Sequence, residues 1–143
     1  MNTFVVDSSV VAKWLPPLNH EPFAAEARKL LAYWTDGKID LSVPDLLNIE
    51  VANILWKAAR TKRCTWTQAR TALEILISYG LPLVPSVTLL ELALRISLEY
   101  ERTVYDCLYV ALAVQSSRTL VTADEKLAKA LAAYFPVKWI GAI

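Results

Sequence analysis

The chain has 143 residues, enough for one domain to bury a substantial core without disulfides or a structural metal. A composition of 55% hydrophobic and 20% charged residues excludes a disordered chain. The formal net charge is only +1, so the overall charge gives no indication of nucleic-acid binding. Such binding would have to depend on local patches or bound cations.

The location of the protein is indicated by its cysteines and its apolar segments. Cys64 and Cys107 lie far apart without a C-x-x-C pair, which favours two free thiols, although a disulfide stays open. An apolar strand follows residues 1–3 directly, leaving no room for a signal peptide. The uncharged stretch at residues 75–90 is too short, and too interrupted by glycine and proline, to span a bilayer. We expect a cytoplasmic protein with no membrane association.

Short apolar runs alternate with longer helical patterns along the whole chain. In chain order, we predict a strand at residues 4–6, helices at 8–15 and 22–34, a strand at 41–43, helices at 44–61 and 65–79, a strand at 81–84, helices at 87–101 and 103–117, a strand at 119–122, a helix at 124–134 and a strand at 137–140. Apolar strands separated by helices predict a parallel sheet covered on both faces. Since no repeat or linker interrupts residues 1–143, we predict one α/β domain.

Two acids follow predicted strands directly. Asp7 comes after the strand at 4–6, and Asp124 comes just beyond the strand at 119–122. Ligands of open α/β sheets bind outside the carboxyl ends of the strands, so both acids are expected at the functional edge. The alternative is that each only caps the helix that follows it, and an aspartate is able to do both.

Asp106 is the only charged residue in the segment 104–114. A helix that is apolar on every side is expected to be buried. An unpaired carboxylate there would cost several kcal/mol, whereas the helix dipole returns only about 0.3–1 kcal/mol. No basic residue lies within this helix, so a bound cation or a buried arginine from elsewhere is the physical solution.

The predicted helix at 44–61 carries a narrow polar stripe. At about 100° per residue, Glu50, Asn53, Lys57 and Arg60 share one face, which on periodicity alone is equally well a solvent face. The residues Lys57, Arg60, Lys62 and Arg63 also form a local basic cluster. Most such clusters are solvated surface, but this one is a candidate for holding a phosphate backbone.

Four acids that lie close together would repel one another unless a divalent cation joined them. Oxygen ligands without His or Cys select Mg²⁺ or Mn²⁺ over zinc. Such an ion lowers the pKa of an attacking water and neutralises charge that develops on phosphorus. If Asp7, Glu50, Asp106 and Asp124 converge, they therefore indicate phosphodiester hydrolysis.

Four segments of the chain match a known pattern when they are taken together. They are VVDSSVVAKW at residues 5–14, EVANILWK at 50–57, YDCLYVALA at 105–113 and LVTADEKL at 120–127. In this order and spacing they resemble the PIN-domain family, in particular the toxin subunits of bacterial and archaeal VapBC toxin–antitoxin pairs. The resemblance covers essentially the whole chain.

The resemblance implies a three-layer α/β/α sandwich with a mostly parallel five-stranded sheet. It implies a metal-dependent ribonuclease whose acids, Asp7, Glu50, Asp106 and Asp124, bind Mg²⁺ or Mn²⁺. It further implies a homodimer that is held inactive by a cognate antitoxin. The residues implied to support the acids are Ser8, Ser9, Asn53 and Thr122.

Two other functions are considered. A phosphatase-like hydrolase of phosphate esters needs a second acid beside the first, but Asp7 is followed by Ser8 and Ser9. A non-catalytic PIN-like binding subunit would use its carboxylates only as helix caps and as a solvent-facing stripe. Binding of Mn²⁺ would distinguish this second alternative from a nuclease.

Overall fold

A computed structural model of the protein describes residues 2–143. The strands are β1 (Asn2–Val6), β2 (Ile39–Pro44), β3 (Leu83–Val84), β4 (Thr119–Thr122) and β5 (Val137–Trp139). The α-helices are α1 (Ser8–Val11), α2 (Ala24–Thr35), α3 (Leu46–Arg60), α4 (Trp66–Ser78), α5 (Leu90–Tyr100), α6 (Val104–Gln115) and α7 (Glu125–Leu131). Short 3-10 turns lie at Ala12–Trp14, Leu18–His20, Ser86–Leu89 and Ile140–Ala142.

All five strands form one parallel sheet in the order β3-β2-β1-β4-β5. The predicted α/β fold with a five-stranded parallel sheet is therefore confirmed. Strand β1 lies at the centre, between β2 and β4, where the order of the strands reverses. Ligands of such sheets bind beyond the carboxyl ends of the strands at this switch point. Because Val6 pairs with Val121, the residues that follow β1 and β4 begin side by side.

Helices cover both faces of the sheet. Val5 and Val6 of β1 point to opposite faces, and both are fully buried. Helix α6 packs against β1, β2 and β4, and seven consecutive residues of it, 107–113, are buried. The burial predicted from the apolar pattern of this helix is therefore confirmed.

Several boundaries differ from the predicted ones. Pro44 ends β2 instead of opening α3, because it pairs with Val84 of β3. The next residue, Asp45, donates its N–H to the Val84 carbonyl and so continues this pairing. Helix α2 begins at residue 24 rather than 22, and α5 begins at 90 rather than 87 because a 3-10 turn precedes it. Helix α7 ends at 131, because Phe135 closes a turn onto the Leu131 carbonyl.

Cys64 and Cys107 are both buried and free, as predicted. Within residues 2–143, none of the helices combines the length and the apolar character that crossing a membrane requires.

Candidate active site

The four acids singled out in the sequence lie on elements that meet at the carboxyl edge of the sheet. Asp7 follows β1 and Asp124 follows β4, whereas Glu50 lies on α3 and Asp106 lies in the first turn of α6. Asp106 is electrostatically central, since its charge acts on Asp7 and Glu50 and it feels the charge of Asp124. The structure therefore brings the four acids together around Asp106.

Asp7 is the most buried of the four acids, with 6% of its surface exposed. Its Oδ1 accepts hydrogen bonds from the N–H groups of Ser9 and Val10, at 3.1 and 3.3 Å, and from the Ser9 hydroxyl at 2.5 Å. Burial raises the pKa of Asp7 to about 6; hydrogen bonds from Ser9, Thr122 and Val10 lower it, and the charge of Asp106 raises it. Asp7 thus caps α1 through one oxygen, so the capping interpretation and the functional one are compatible.

Ser9 and Thr122 connect the ends of β1 and β4. The Ser9 hydroxyl, which donates to Asp7, accepts a hydrogen bond from the Ala123 N–H at 3.0 Å. The Thr122 hydroxyl oxygen accepts one from the Asp124 N–H at 3.0 Å, and Asp124 Oδ1 in turn caps α7 by accepting from the N–H of Leu127. These hydrogen bonds fix the backbone at Asp7 and Asp124.

Tyr109 holds Glu50, an interaction that the sequence analysis did not identify. The Tyr109 side chain is buried, and its hydroxyl donates a hydrogen bond of 2.5 Å to Glu50 Oε1. Burial raises the pKa of Glu50, hydrogen bonds from Tyr109 and Ser8 oppose the rise, and the charge of Asp106 adds to it. The signal in the sequence was the position of Tyr109 three residues after Asp106, on the same side of α6.

Arg102 is a second residue that the sequence analysis missed. Its Nη2 lies 3.5 Å from Asp106 Oδ2 and 3.9 Å from Asp124 Oδ2. Burial raises the pKa of Asp106; the Arg102 guanidinium opposes that rise and the charge of Asp124 adds to it. A partly buried arginine thus stands where the sequence left a buried arginine as one of two solutions for Asp106, four residues before it. Its i, i+4 spacing was the available signal.

The chemistry of these donors suits a hard divalent cation, because they are carboxylate and hydroxyl oxygens without His or Cys. As the side chains of residues 2–143 stand, however, no three His, Cys, Asp or Glu residues form a group that could hold one metal ion. The carboxylates instead contact protein groups: Asp106 and Asp124 contact Arg102, Glu50 contacts Tyr109, and Asp7 contacts the start of α1.

A cleft of about 400 Å³ opens beside Glu50. It is lined by Ser8, Leu46, Ile49, Glu50, Asn53, Ile54 and Tyr105. Asn53 is thus placed at the same opening as Glu50, as the stripe on α3 predicted. A cleft of this volume is large enough for a nucleotide-sized group to lie beside Glu50.

The basic cluster lies farther along the same helix. Lys57, Arg60 and Lys62 are exposed, and the Arg60 guanidinium lies 4.9 Å from the centre of the Trp56 ring. Arg63 is exposed as well, but it forms an ion pair of 3.3 Å with Glu21. The structure therefore leaves Lys57, Arg60 and Lys62 on the open surface beyond Glu50, and it directs Arg63 to another part of the molecule.

The PIN domain family matches residues 4–132. The chain is 33% identical over 127 residues to Ribonuclease VapC3 from Pyrobaculum aerophilum, covering 87% of this chain and 92% of that protein. The fold is similar to the crystal structure of PAE2754 from Pyrobaculum aerophilum, with a TM-score of 0.68, 24% identity, and coverage of 99% of this chain and 92% of that one.

A second solved structure shares the fold. It is VapBC2 from Rickettsia felis bound to a DNA fragment from their promoter, with a TM-score of 0.63, 17% identity, and coverage of 96% of this chain and 98% of that chain. The family match spans most of the chain and includes all four acids. The chain belongs to the PIN-domain family and is of its VapC type.

Proposed function

We propose that the chain is an endoribonuclease that hydrolyses RNA phosphodiester bonds with Mg²⁺ or Mn²⁺, as one domain of residues 1–143 acting in the cytoplasm. The observation that carries this proposal is the convergence of four carboxylates around Asp106 at the switch point of the sheet. The similarity to a protein named Ribonuclease VapC3 supports the choice of RNA as the substrate.

In this proposal Asp7, Glu50, Asp106 and Asp124 are the carboxylates of the metal site. When bound, the cation would lower the pKa of the attacking water and neutralise charge on the phosphate. Ser9 and Thr122 orient Asp7.

The remaining roles belong to the surroundings of the acids. Tyr109 orients Glu50, and Ser8 and Asn53 line the opening beside it. Lys57, Arg60 and Lys62 lie along α3 and in the turn after it, where they would hold the phosphate backbone of the RNA by charge. Arg63, which pairs with Glu21, is expected to contribute less to this binding.

The proposed partners are a cognate antitoxin protein and a second copy of the chain. The antitoxin is supported by the similarity to VapC3 and to the VapBC2 complex. Dimerisation is supported by Leu90, Leu94 and Leu98, which leave one side of α5 apolar and exposed. Light scattering on the purified chain tests this part: a mass of 16.0 kDa at all concentrations would exclude the dimer.

Cleavage of a structured RNA by the purified chain tests the proposed activity. We expect cleavage in Mg²⁺ or Mn²⁺, none in EDTA, and a loss of at least about 100-fold in Asp106→Asn, since even outer residues of metal sites contribute about 10–100-fold. Asp36→Asn, at the exposed end of α2, is the matched control and should cleave normally. Cleavage that persists in EDTA or in Asp106→Asn would refute the proposal.

A non-catalytic binding subunit is the second candidate. It is favoured by one observation, that Asp7 and Asp124 both cap helices while Arg102 pairs with Asp106 and Asp124. Calorimetric titration with Mn²⁺ separates the two functions, because carboxylates that act only as caps and ion-pair partners would bind no ion.

A further inference from the structure

The charges at the site are divided unevenly between its two sides. Asp106 and Asp124 share the guanidinium of Arg102. On the other side, neither Asp7 nor Glu50 has a Lys, Arg or His within ion-pair distance in residues 2–143. Both carboxylates instead accept hydrogen bonds, Asp7 from hydroxyl and N–H groups and Glu50 from a hydroxyl. One side of the site therefore contains its own cation, and the other side does not.

The position of Arg102 follows from the corner between α5 and α6. Glu101, which follows α5 as its C-cap, has a φ of +56° in the left-handed region. Thr103, the N-cap of α6, accepts a hydrogen bond from the Asp106 N–H through its hydroxyl at 3.2 Å. Arg102 is the residue between these two caps. Its side chain is 24% exposed, and its guanidinium lies within ion-pair distance of Asp106 and Asp124, which together hold it at the site.

A guanidinium in this position competes with a metal ion. Two-metal nucleases hold their ions about 3.5–4 Å apart, so a second ion would need its own oxygen ligands close to the first. Here Nη2 lies 3.5 and 3.9 Å from Oδ2 of Asp106 and Asp124, so the guanidinium already supplies a positive charge to both of these carboxylates. A divalent ion there would also be repelled by the nearby positive charge.

We propose that Arg102 takes the place of a second metal ion. The site then binds a single divalent cation on the side of Asp7 and Glu50, and Asp106 contacts both this cation and Arg102. This inference rests on the proposed function, because it requires the carboxylates to bind a divalent cation at all. Arg102 then acts as a fixed counter-ion that keeps Asp106 and Asp124 in place before and after the ion binds.

The number of bound Mn²⁺ ions tests the proposal directly. The full chain is titrated with Mn²⁺ while the free ion is followed by electron paramagnetic resonance, which requires no RNA cleavage. We expect one ion per wild-type chain. Arg102→Met keeps much of the side-chain length but removes the positive charge. Because this charge no longer repels a cation, the variant should bind a second Mn²⁺ ion, or bind the first ion at least about tenfold more tightly.

Two further variants serve as controls. Arg102→Lys keeps the charge and should retain one ion with an affinity near that of the wild type. Arg95→Met removes an exposed arginine of α5 that pairs only with Glu91, and it should change nothing. If Arg102→Met does not fold by circular dichroism, Arg102→Gln replaces it, and the wild-type stoichiometry remains decisive.

The outcomes separate this inference from the proposed function. Two ions on the wild-type chain, or an unchanged number and affinity when the charge of Arg102 is removed, would overturn the role of Arg102 and leave the metal-dependent nuclease standing. Failure of the wild-type chain to bind any Mn²⁺ would overturn both.

Discussion

At the scale of single residues, Asp7 destabilises the fold when its carboxylate is ionised. Its carboxylate is buried at the end of β1, and burial is what raises its pKa to about 6. At neutral pH the group is therefore ionised at a cost that the folded state bears and the unfolded state does not. Residues retained at such a cost are typical of functional sites.

Asp7→Asn is expected to stabilise the fold at about pH 8 and to abolish RNA cleavage. A folded-state pKa raised above the unfolded value means that the contribution of Asp7 to stability falls as pH rises from about 4 to 6. Asparagine does not ionise, so the variant should gain up to about 3 kcal/mol above pH 6 and nothing below pH 4. Urea unfolding at both pH values measures this, and a variant less stable than wild type at pH 8 would contradict it.

Tyr109→Phe removes only the hydroxyl that contacts Glu50 Oε1. Because the ring is buried and its packing is kept, we expect a stability change of about 1 kcal/mol, but an affinity for Mn²⁺ that is lower by about tenfold, since Glu50 loses the group that orients it. Tyr134→Phe, at an exposed position, is the control. Equal Mn²⁺ affinity in wild type and Tyr109→Phe would show that the hydroxyl has no positioning role.

At the scale of elements, the site depends on how two strand ends are joined. Ser9 lies on α1, directly after β1, and its hydroxyl contacts both Asp7 and the backbone N–H of Ala123 beyond β4. One small side chain thus connects two segments that are 114 residues apart in sequence. The connection is possible because β1 and β4 are neighbours in the sheet, with Val6 opposite Val121.

Ser9→Ala is expected to lower the free energy of unfolding by about 1–3 kcal/mol, because the Ala123 N–H loses its acceptor and Asp7 loses a hydrogen bond. Loss of that bond also raises the pKa of Asp7 further, so Mn²⁺ binding at pH 6 should weaken more than at pH 8. Denaturation and Mn²⁺ titration measure the two effects. Ser78→Ala, whose hydroxyl contacts only the Ile75 carbonyl of its own helix, should show neither.

At the scale of the whole molecule, three acids each destabilise the fold when they lose their proton. The pKa values of Asp7, Glu50 and Asp106 are all raised, mainly by burial. Each of these acids therefore favours the folded state more when it is protonated than when it is ionised. A cation that binds the ionised carboxylates would reverse this effect, so stability, pH and metal should be coupled.

In EDTA, the melting temperature is expected to fall as pH rises from about 4 to 6 and to remain low at pH 8. Mg²⁺ or Mn²⁺ at about 100 times its dissociation constant should restore about 2.7 kcal/mol at pH 8 and much less at pH 4.5, where protons compete with the ion. Differential scanning fluorimetry across this range measures the coupling. A stabilisation by the metal ion that is equal at both pH values, or that persists in Asp106→Asn, would contradict this coupling.

The parts of the fold that depend on local chemistry were predictable from the sequence. The strand Thr119–Thr122 and the capped start of α4 at Thr65 lie where the pattern predicted them, because apolar runs and cap residues act over only a few positions. The boundary at Pro44 was wrong because it depends on pairing with Val84, forty residues farther along the chain.

The sequence by itself determined the fold class and predicted the four acids as site candidates. It also indicated that Asp106 needs a positive partner, because a lone carboxylate in an apolar helix has few tolerable environments. Only the tertiary structure decided which groups satisfy those acids. Tyr109 reaches Glu50 across 59 residues, and Arg102 reaches Asp124 from the corner between α5 and α6. Such contacts depend on how helices and strands pack in space, which the spacing of residues along a chain does not specify.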